Sequence, residues 1–331
     1  MRALLLAGVG IVAFGGAAMA EGDRGNHHRR YQPAIMDHYA AALGVNIGEV
    51  RGNSSTTGRG QAVGVTTTGS FGGARGVMNV NQNAGANSAQ QNAVAIAYIE
   101  GCDCRVEFKY GDGNANAVAG NGGQVVGNNS ANGEYSRRHH HGDDGTSASA
   151  TLAGSFGSAT GIAQVNQNAG ANSLQQNATA VAYIDNVSGT RRQDRDAWAI
   201  AGNAGRVTGS GNSSDDYRHR ANGSIEGAFA GFTGVANVNQ NVGANSLQQN
   251  AAALSAVEYC NCATRDLSTV VAAAANLGSV SYNRADADRG AAFATIGGSF
   301  NGITGITQVN QNAGANSLMQ NSVAVGAVYN R

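Results

Sequence analysis

Histidines are the residues of this 331-residue chain best suited to bind a metal. His139, His140 and His141 stand in a row shortly before Asp143 and Asp144, and imidazole and carboxylate are both ligands for transition metals. The sequence offers no second ligand set with matching spacing, so the run also fits a solvated charged loop. We therefore predict no cofactor and keep the three histidines as the one candidate metal site.

Side-chain amides are the chemical groups that recur in a fixed pattern. The block Val80 to Tyr98 begins Val-Asn-Gln-Asn-Ala-Gly-Ala-Asn-Ser and continues through Gln-Gln-Asn into a small, apolar tail. Further copies begin at Val165, Val238 and Val309. Such self-similarity is the signature of a repeat architecture, so the sequence predicts four similar units.

The amide block alternates in a way that indicates β-strands. Val80 and Gln82 alternate with Asn81, and the alternation resumes after residue 87. Between the two runs, Gly85 and Asn87 tolerate backbone conformations that fold the chain back. The unit is therefore predicted to be strand, turn, strand, and the turn glycines in chain order are Gly85, Gly170, Gly243 and Gly314.

Strands of this composition cannot build a deep apolar core. A buried amide without a hydrogen bond costs about 1–3 kcal/mol, and stacking identical residues along an axis satisfies the amides in series. The fold class predicted is all-β, a β-solenoid-like or cross-β stack of four units, each with about four short strands. The ladder residues predicted are Gln82, Asn87, Gln167, Asn172, Gln240, Asn245, Gln311 and Asn316. Aromatic residues such as Phe71 and Phe156 are expected to stack or to cover sheet edges rather than to form a sugar-binding platform.

These residues carry a resemblance to a known family. Gln82 followed after four residues by Asn87, with Gly between and Ser after, resembles the repeat of the curlin subunits of bacterial curli. The wide separation of the copies is nearer to that of Fap-type functional amyloid subunits. The curlin repeat has a leading Ser and a closing Gln, where this chain has Gly76, Gly161, Gly234 and Gly305, and then Ala93, Ala178, Ala251 and Ser322.

The resemblance implies an extracellular amyloid-type subunit. Its partners would be copies of itself, together with a nucleator subunit and outer-membrane export machinery. The N-terminus agrees, because residues 1–20 have the basic start, apolar run and small-x-small site of a secretory signal peptide. The remaining divisions predicted are an N-terminal arm at 21–42 and repeat units with their loops at 43–114, 115–196, 197–270 and 271–331.

The four cysteines form two Cys-x-Cys pairs at equivalent places in units 1 and 3. They are Cys102, Cys104, Cys260 and Cys262. With one unit per layer the pairs would lie roughly 9.6 Å apart, more than the ~4.4–6.8 Å that a disulfide spans. Loop movement could close that gap. The alternatives are bridges within each pair, links between molecules or a thiolate metal site, and we expect structural disulfides because export favours oxidation.

The distribution of charge limits the function. The chain has 21 basic and 21 acidic residues, and this balance argues against a nucleic-acid partner. Residues 146–184 and 291–330 contain no Asp, Glu, Lys or Arg. Because stacking a charge on its own copy is repulsive, we expect the charges in loops outside the stacked body.

Two functions are consistent with these features. The first is a secreted subunit that self-assembles into extracellular fibres for adhesion or a biofilm matrix. The second is a monomeric β-solenoid surface protein that presents its charged loops to a partner. A capped solenoid should end in atypical sequence, whereas the fourth copy is complete, which favours assembly. An enzyme is not expected, because the repeats contain no paired carboxylates and no nucleophile with a base and an orienting acid.

Overall fold

The computed structural model describes residues 38–57, 62–100, 110–132, 147–185, 192–214, 220–259, 266–287 and 291–330. The expected signal peptide, the histidine run and all four cysteines lie outside these residues. Every regular element in the described ranges is a β-strand, which confirms the all-β fold class. Within those ranges no helix is long and apolar enough to cross a membrane.

In the described residues each repeat unit contributes five strands, where about four were expected. Unit 1 holds β1 (His38–Arg51), β2 (Ser54–Thr57), β3 (Ala62–Thr68), β4 (Arg75–Asn83) and β5 (Ala89–Glu100). Unit 2 holds β6 (Tyr110–Val126), β7 (Asn129–Asn132), β8 (Ser147–Ala153), β9 (Thr160–Asn168) and β10 (Leu174–Asp185). Unit 3 holds β11 (Arg192–Thr208), β12 (Gly211–Ser214), β13 (Arg220–Glu226), β14 (Thr233–Asn241) and β15 (Leu247–Tyr259). Unit 4 holds β16 (Asp266–Ser281), β17 (Arg284–Ala287), β18 (Ala291–Gly297), β19 (Thr304–Asn312) and β20 (Leu318–Asn330).

Equivalent strands of successive units pair to form five parallel sheets. The first strands, β1, β6, β11 and β16, form sheet A, and the second to fifth strands of each unit form sheets B to E in the same way. The register aligns equivalent positions of the repeat, because Gln82 pairs with Gln167 and Gln167 pairs with Gln240. The units therefore stack in chain order, each as one layer, as the repeat predicted.

Four of the sheets lie face to face in the order A, E, D, C. Alanines of sheets A and E, such as Ala117 and Ala180, form one fully buried cluster, and their small side chains let the two sheets approach closely. The apolar contact between D and C is bulkier and contains Leu152, Val165 and Ile225. Sheet B lies beside the turn that joins D to E, because Asn172 Nδ2 in that turn donates to Gly211 O of sheet B.

Phenylalanines stack along the axis at the turn between sheets C and D. The rings of Phe71, Phe156, Phe229 and Phe300 are parallel, with centroids 4.9, 4.7 and 4.9 Å apart. Each of these residues adopts a φ near +60°. The expected aromatic stacking is thus confirmed at this turn and at the Tyr98–Tyr183 pair.

Several charged residues depart from the expectation that charges lie outside the stacked body. Arg195 on β11 is only 1% exposed, and its register partners, Gly113 and Ser268, are small and uncharged. At the end of sheet E, Glu100, Asp185 and Glu258 are register partners of one another, and Glu258 is buried. The expectation was therefore wrong, because charges lie on the stacked strands and three carboxylates share one column.

Candidate assembly interface

The amide block spans the end of sheet D, a turn and the start of sheet E. In unit 2 it covers the second half of β9, residues 169–173 and β10. Asn172 at the turn has a φ of 51°, and Asn87, Asn245 and Asn316 have similar values. This left-handed conformation is one that Asn tolerates. It reverses the chain so that amides of D and E lie face to face.

The predicted glutamine ladder is continuous through units 2, 3 and 4. Gln240 Nε2 donates to Gln167 Oε1 at 3.0 Å, and Gln311 Nε2 donates to Gln240 Oε1 at 2.9 Å. The first rung differs, because Gln167 Nε2 donates to Ser224 O at 3.1 Å and Gln82 Nε2 donates to Thr67 Oγ1 at 2.6 Å. This column therefore also joins sheet D to sheet C.

The predicted asparagine ladder makes two kinds of contact. Asn172 Nδ2 donates to Asn245 Oδ1, and Asn245 Nδ2 donates to Asn316 Oδ1, both at 3.1 Å. The same Asn245 amide donates to Arg284 O on β17 at 2.9 Å, and Asn87 Nδ2 donates to Asn129 O on β7 at 2.9 Å. The asparagines of units 1, 2 and 3 thus each link their own turn to the next layer of sheet B.

Further amide ladders were not predicted from the sequence. Gln176 Nε2 donates to Gln91 Oε1 at 2.6 Å, and Gln249 Nε2 donates to Gln176 Oε1 at 2.7 Å. They face a glycine column of sheet A, and a Cβ on Gly205 would lie 2.8 Å from Gln176 Oε1. The sequence did contain a signal for this ladder. Glycines recur in sheet A at the positions that face the early Gln of each amide block.

Asparagines also connect sheets D and E at the centre of the stack. Asn177 Nδ2 donates to Asn166 Oδ1 at 2.9 Å within one layer. Asn239 Nδ2 of the next layer donates to Asn166 Oδ1 and Asn177 Oδ1, both at 3.0 Å. All three side chains are buried. The amide nitrogens of this region are therefore dry and paired, as the stacking argument requires.

The glycines of the turn have a different role from the one predicted. Gly85, Gly170 and Gly243 do not adopt positive φ. A Cβ on Gly85 would lie 1.6 Å from Gly170 O, and the equivalent distances from Gly170 and Gly243 to the next layer are 2.0 and 1.7 Å. The prediction was wrong in its reason, because these positions require glycine for close approach between layers rather than for backbone conformation.

Glycine also replaces the leading Ser of the curlin pattern for a structural reason. Gly161 and Gly234 both have a φ of 131°. A Cβ on Gly161 would lie 2.1 Å from Gly76 O in the layer before it. Both the conformation and the contact exclude serine from this column. The closing Gln is replaced because Ala93, Ala178 and Ala251 lie in the close contact between E and A.

The outermost layers present the same groups without a second neighbour. Strands of units 1 and 4 each have one partner in the described sheets, whereas those of units 2 and 3 have two. Asn172 and Asn245 are fully buried, but Asn316 is exposed. A Cβ on Gly314 would meet only Asn312 Oδ1, at 3.5 Å. The unit 4 face is therefore open at the positions where the inner layers are closely packed.

A tyrosine and carboxylate column lies at the end of sheet E. Tyr183 stacks on Tyr98 with ring centroids 5.4 Å apart, and its hydroxyl donates to Glu258 Oε2. Burial raises the pKa of Tyr183 above its ordinary value, and the hydrogen bond to Glu258 and the charge of that carboxylate raise it further. Burial also raises the pKa of Tyr98, with Glu100 and Asp185 nearby. This column is the pH-sensitive part of the described stack.

The described residues contain no cluster of three or more His, Cys, Asp or Glu that could hold a metal ion. The candidates His139, His140 and His141, and the possible disulfide residues Cys102, Cys104, Cys260 and Cys262, lie outside the described ranges, so they stay predictions. What the described geometry provides is a repeated hydrogen-bonding surface at each end of the stack.

No curated protein and no solved structure matches the chain. The family model described as the functional amyloid protein FapB/FapC family matches residues 15–184 and, in a second overlapping match, residues 125–328. The two matches include all four amide blocks and more than half of the chain. This is a family of structural amyloid proteins. The chain belongs to the FapB/FapC family of functional amyloid proteins.

Proposed function

We propose that this protein is a secreted subunit that assembles into extracellular amyloid-type fibres for adhesion or a biofilm matrix. Each molecule would add its stack of four layers to the end of another, so that the sheets continue across the junction. The observation that carries the proposal is that identical units pair in register inside the molecule, while units 1 and 4 each lack one neighbour among the described strands. A surface that already binds its own copy within the chain is suited to bind the next chain.

The junction would bring unit 4 of one molecule against unit 1 of the next. Matching amides would meet in several columns, among them Asn310 with Asn81, Gln311 with Gln82, and Gln320 with Gln91. One column does not match, because Met319 occupies the position of Gln90. Inside the chain Gln248 Nε2 already meets Met319 Sδ at 3.9 Å instead of an amide oxygen. In this column the junction would therefore lack the amide rung that joins units 1 to 2 and units 2 to 3, as the contact between units 3 and 4 already does.

Such a junction is heterologous, since two different faces meet. Heterologous contacts that do not close into a ring generate open filaments. Export of residues 21–331 after removal of residues 1–20 is part of the proposal, as are a nucleator subunit and outer-membrane export machinery.

The test is assembly of residues 21–331 purified without denaturant. We expect a rise in thioflavin T fluorescence, and fibre diffraction with reflections near 4.8 Å along the axis and about 10 Å across it. A soluble monomer that persists at high concentration would contradict the proposal. That result would support instead the monomeric surface protein that presents charged loops to a partner.

A further inference from the structure

The outer face of sheet A is apolar at its centre. On β11 the buried residues Ala197, Ala199 and Ala201 pack on sheet E, so the residues between them point away from the stack. Trp198 is 37% exposed and Ile200 is 42% exposed. Exposed large apolar side chains occupy the same face in other layers: Leu43, Ile47 and Leu277. Contiguous apolar surface of this kind marks an interaction site.

The opposite outer face of the stack is polar and serves as an internal comparison. Sheet C turns its buried residues, such as Ile225, toward sheet D. Its outward positions in unit 3 are Arg220, Asn222, Ser224 and Glu226. Ser224 Oγ donates along the face to Thr151 Oγ1 at 3.3 Å. The exception on this face is Phe293 of unit 4, which shares a register position with Asn222 and is 58% exposed. Of the two outer faces, it is sheet A that carries a cluster of large apolar side chains.

We propose that the outer face of sheet A binds the same face of a second copy, related by a two-fold axis parallel to the stack. In this arrangement facing strands run in opposite directions around position 201 of β11. Asp196 then lies opposite Arg206 of the other copy, and Arg206 lies opposite its Asp196. An isologous contact of this kind uses one patch on both molecules. The pairing makes two opposite-charge contacts in each unit 3 layer.

Side-chain sizes are also complementary under this two-fold axis. Trp198 lies opposite Ala204, and Ile200 lies opposite Gly202, so each large side chain meets a small one. In unit 1 Ile47 lies opposite Ala41, by the register that pairs position 44 with positions 119 and 201. The match is not the same in every layer, because Leu43 lies opposite Val45 in unit 1 and Val271 lies opposite Leu277 in unit 4. The size argument therefore rests on unit 3 and on the Ile47 pair, where a large side chain fills the space left by a small one.

The outermost positions of the other layers pair polar groups in the same manner. The pairs are Tyr39 with Glu49, Asn114 with Gln124, and Thr269 with Ser279. No like charges meet among these pairs. The outermost polar pairs of units 1, 2 and 4 therefore fit the same axis as the charged pair of unit 3.

The area of this face determines whether single molecules or only stacked molecules pair through it. Eleven residues of strand by four strands give about 700 Å² per copy from standard strand dimensions. A stable pair of proteins usually buries about 800 Å² per partner. Single molecules would therefore pair weakly, whereas stacked molecules present the face repeatedly and gain from multivalency. The inference rests on the proposed fibre function, and it predicts that each fibre contains two stacks joined through sheet A.

The test is a charge swap followed by mass per length in scanning transmission electron microscopy. Asp196→Arg or Arg206→Asp alone places like charges opposite each other, so we expect the mass per length to fall about two-fold relative to paired wild-type fibres, while the thioflavin T time course is retained. The double variant D196R/R206D should restore the wild-type mass per length. This rescue would not occur if either residue had only a structural role within its own molecule. Asn222→Arg, on the outer face of sheet C, is the matched control and should change nothing.

Each outcome of this experiment decides something definite. Wild-type fibres with the mass of a single stack, single variants that remain paired, or a double variant that stays unpaired would overturn the inference and leave the fibre proposal intact. If Asp196→Arg fails to assemble, the mass per length of the Arg206→Asp variant tests the inference, because Arg206 is exposed. If wild-type protein forms no fibres, the proposed function itself fails.

Discussion

Glycine and asparagine have separate roles at the D to E turn, although the sequence predicted that both turn the chain. Asn87 and its equivalents adopt the left-handed conformation, and Gly85 and its equivalents allow the layers to touch. The sequence predicted a turn here correctly, because both residue types favour turns. The sequence could not show that Gly85 is required for contact between layers. That requirement comes from the neighbouring layer and not from the conformation of the turn itself.

Replacing Gly243 with Ala is expected to destabilise the assembled stack. The added Cβ would lie 1.7 Å from Gly314 O, and relief of such overpacking costs at least about 1–3 kcal/mol. The measurement is the guanidinium midpoint for dissolution of fibres, which should fall. Gly297→Ala is the matched control, because a Cβ there has nothing within 4 Å. Equal midpoints for the two variants would contradict the close-approach role.

Tyr183 is expected to make the stack sensitive to alkali. A tyrosine whose pKa is raised by folding contributes stability that is complete below the unfolded value of about 10 and is lost as pH rises through the folded value. Fibre stability should therefore fall above about pH 10, and Tyr183→Phe should flatten that fall. The measurement is the guanidinium midpoint from pH 8 to 12, with Tyr282→Phe, in the turn after β16, as the control. An unchanged alkaline fall in Tyr183→Phe would count against the assignment.

At the scale of elements, the strands of sheets D and E were predictable and those of sheets A and B were less so. In D and E the alternation of side chains is regular enough to define both strands of the block. In sheet A the strand β6 passes through Gly120, Asn121, Gly122 and Gly123, which carry no alternating pattern. The four-residue strands of sheet B are too short to show a period. Both sets are strands because the equivalent segment of the next unit pairs with them, which one unit's sequence does not reveal.

The open strands of unit 4 lead to a prediction about growth. Gly314→Ala should leave the fold of the chain intact, since the new Cβ meets nothing closer than 3.5 Å. Gly314 occupies the same position in unit 4 as Gly243 in unit 3. The Cβ at position 314 would therefore overlap the unit 1 face of an incoming molecule. We therefore expect the variant not to elongate, and to slow wild-type growth when added in small amounts, because it can join by its unit 1 face and then block the next addition.

Thioflavin T kinetics of seeded wild-type protein measure this effect. Gly297→Ala, in the same unit, provides the control and should neither fail to elongate nor inhibit. If Gly314→Ala elongates as fast as wild type, the unit 4 face is not the growing surface.

At the scale of the whole molecule, the four units stack because each layer hydrogen-bonds amide side chains of its neighbours. Some buried amide oxygens of the described stack have no hydrogen-bond partner, namely those of Gln82, Gln164, Asn172, Asn237 and Gln308. The sequence predicted the stacked arrangement and its Gln82 and Asn87 columns. Amide side chains can be buried at low cost when identical residues stack and hydrogen-bond to one another. It did not predict the Gln91 column or the contact of Gln167 with Ser224 O, because both depend on which sheets lie face to face. That order of layers is set by the connections between strands, not by the composition of any one of them.

The axial rise per molecule, determined by cryo-electron microscopy of fibres, tests the central claim most directly. Four layers of about 4.8 Å per molecule predict a rise of about 19 Å per subunit within each stack, with continuous sheets across the junction. A rise of about 4.8 Å, in which each molecule lies flat as a single layer, would contradict the account, because the four amide blocks would then not stack on one another within the chain.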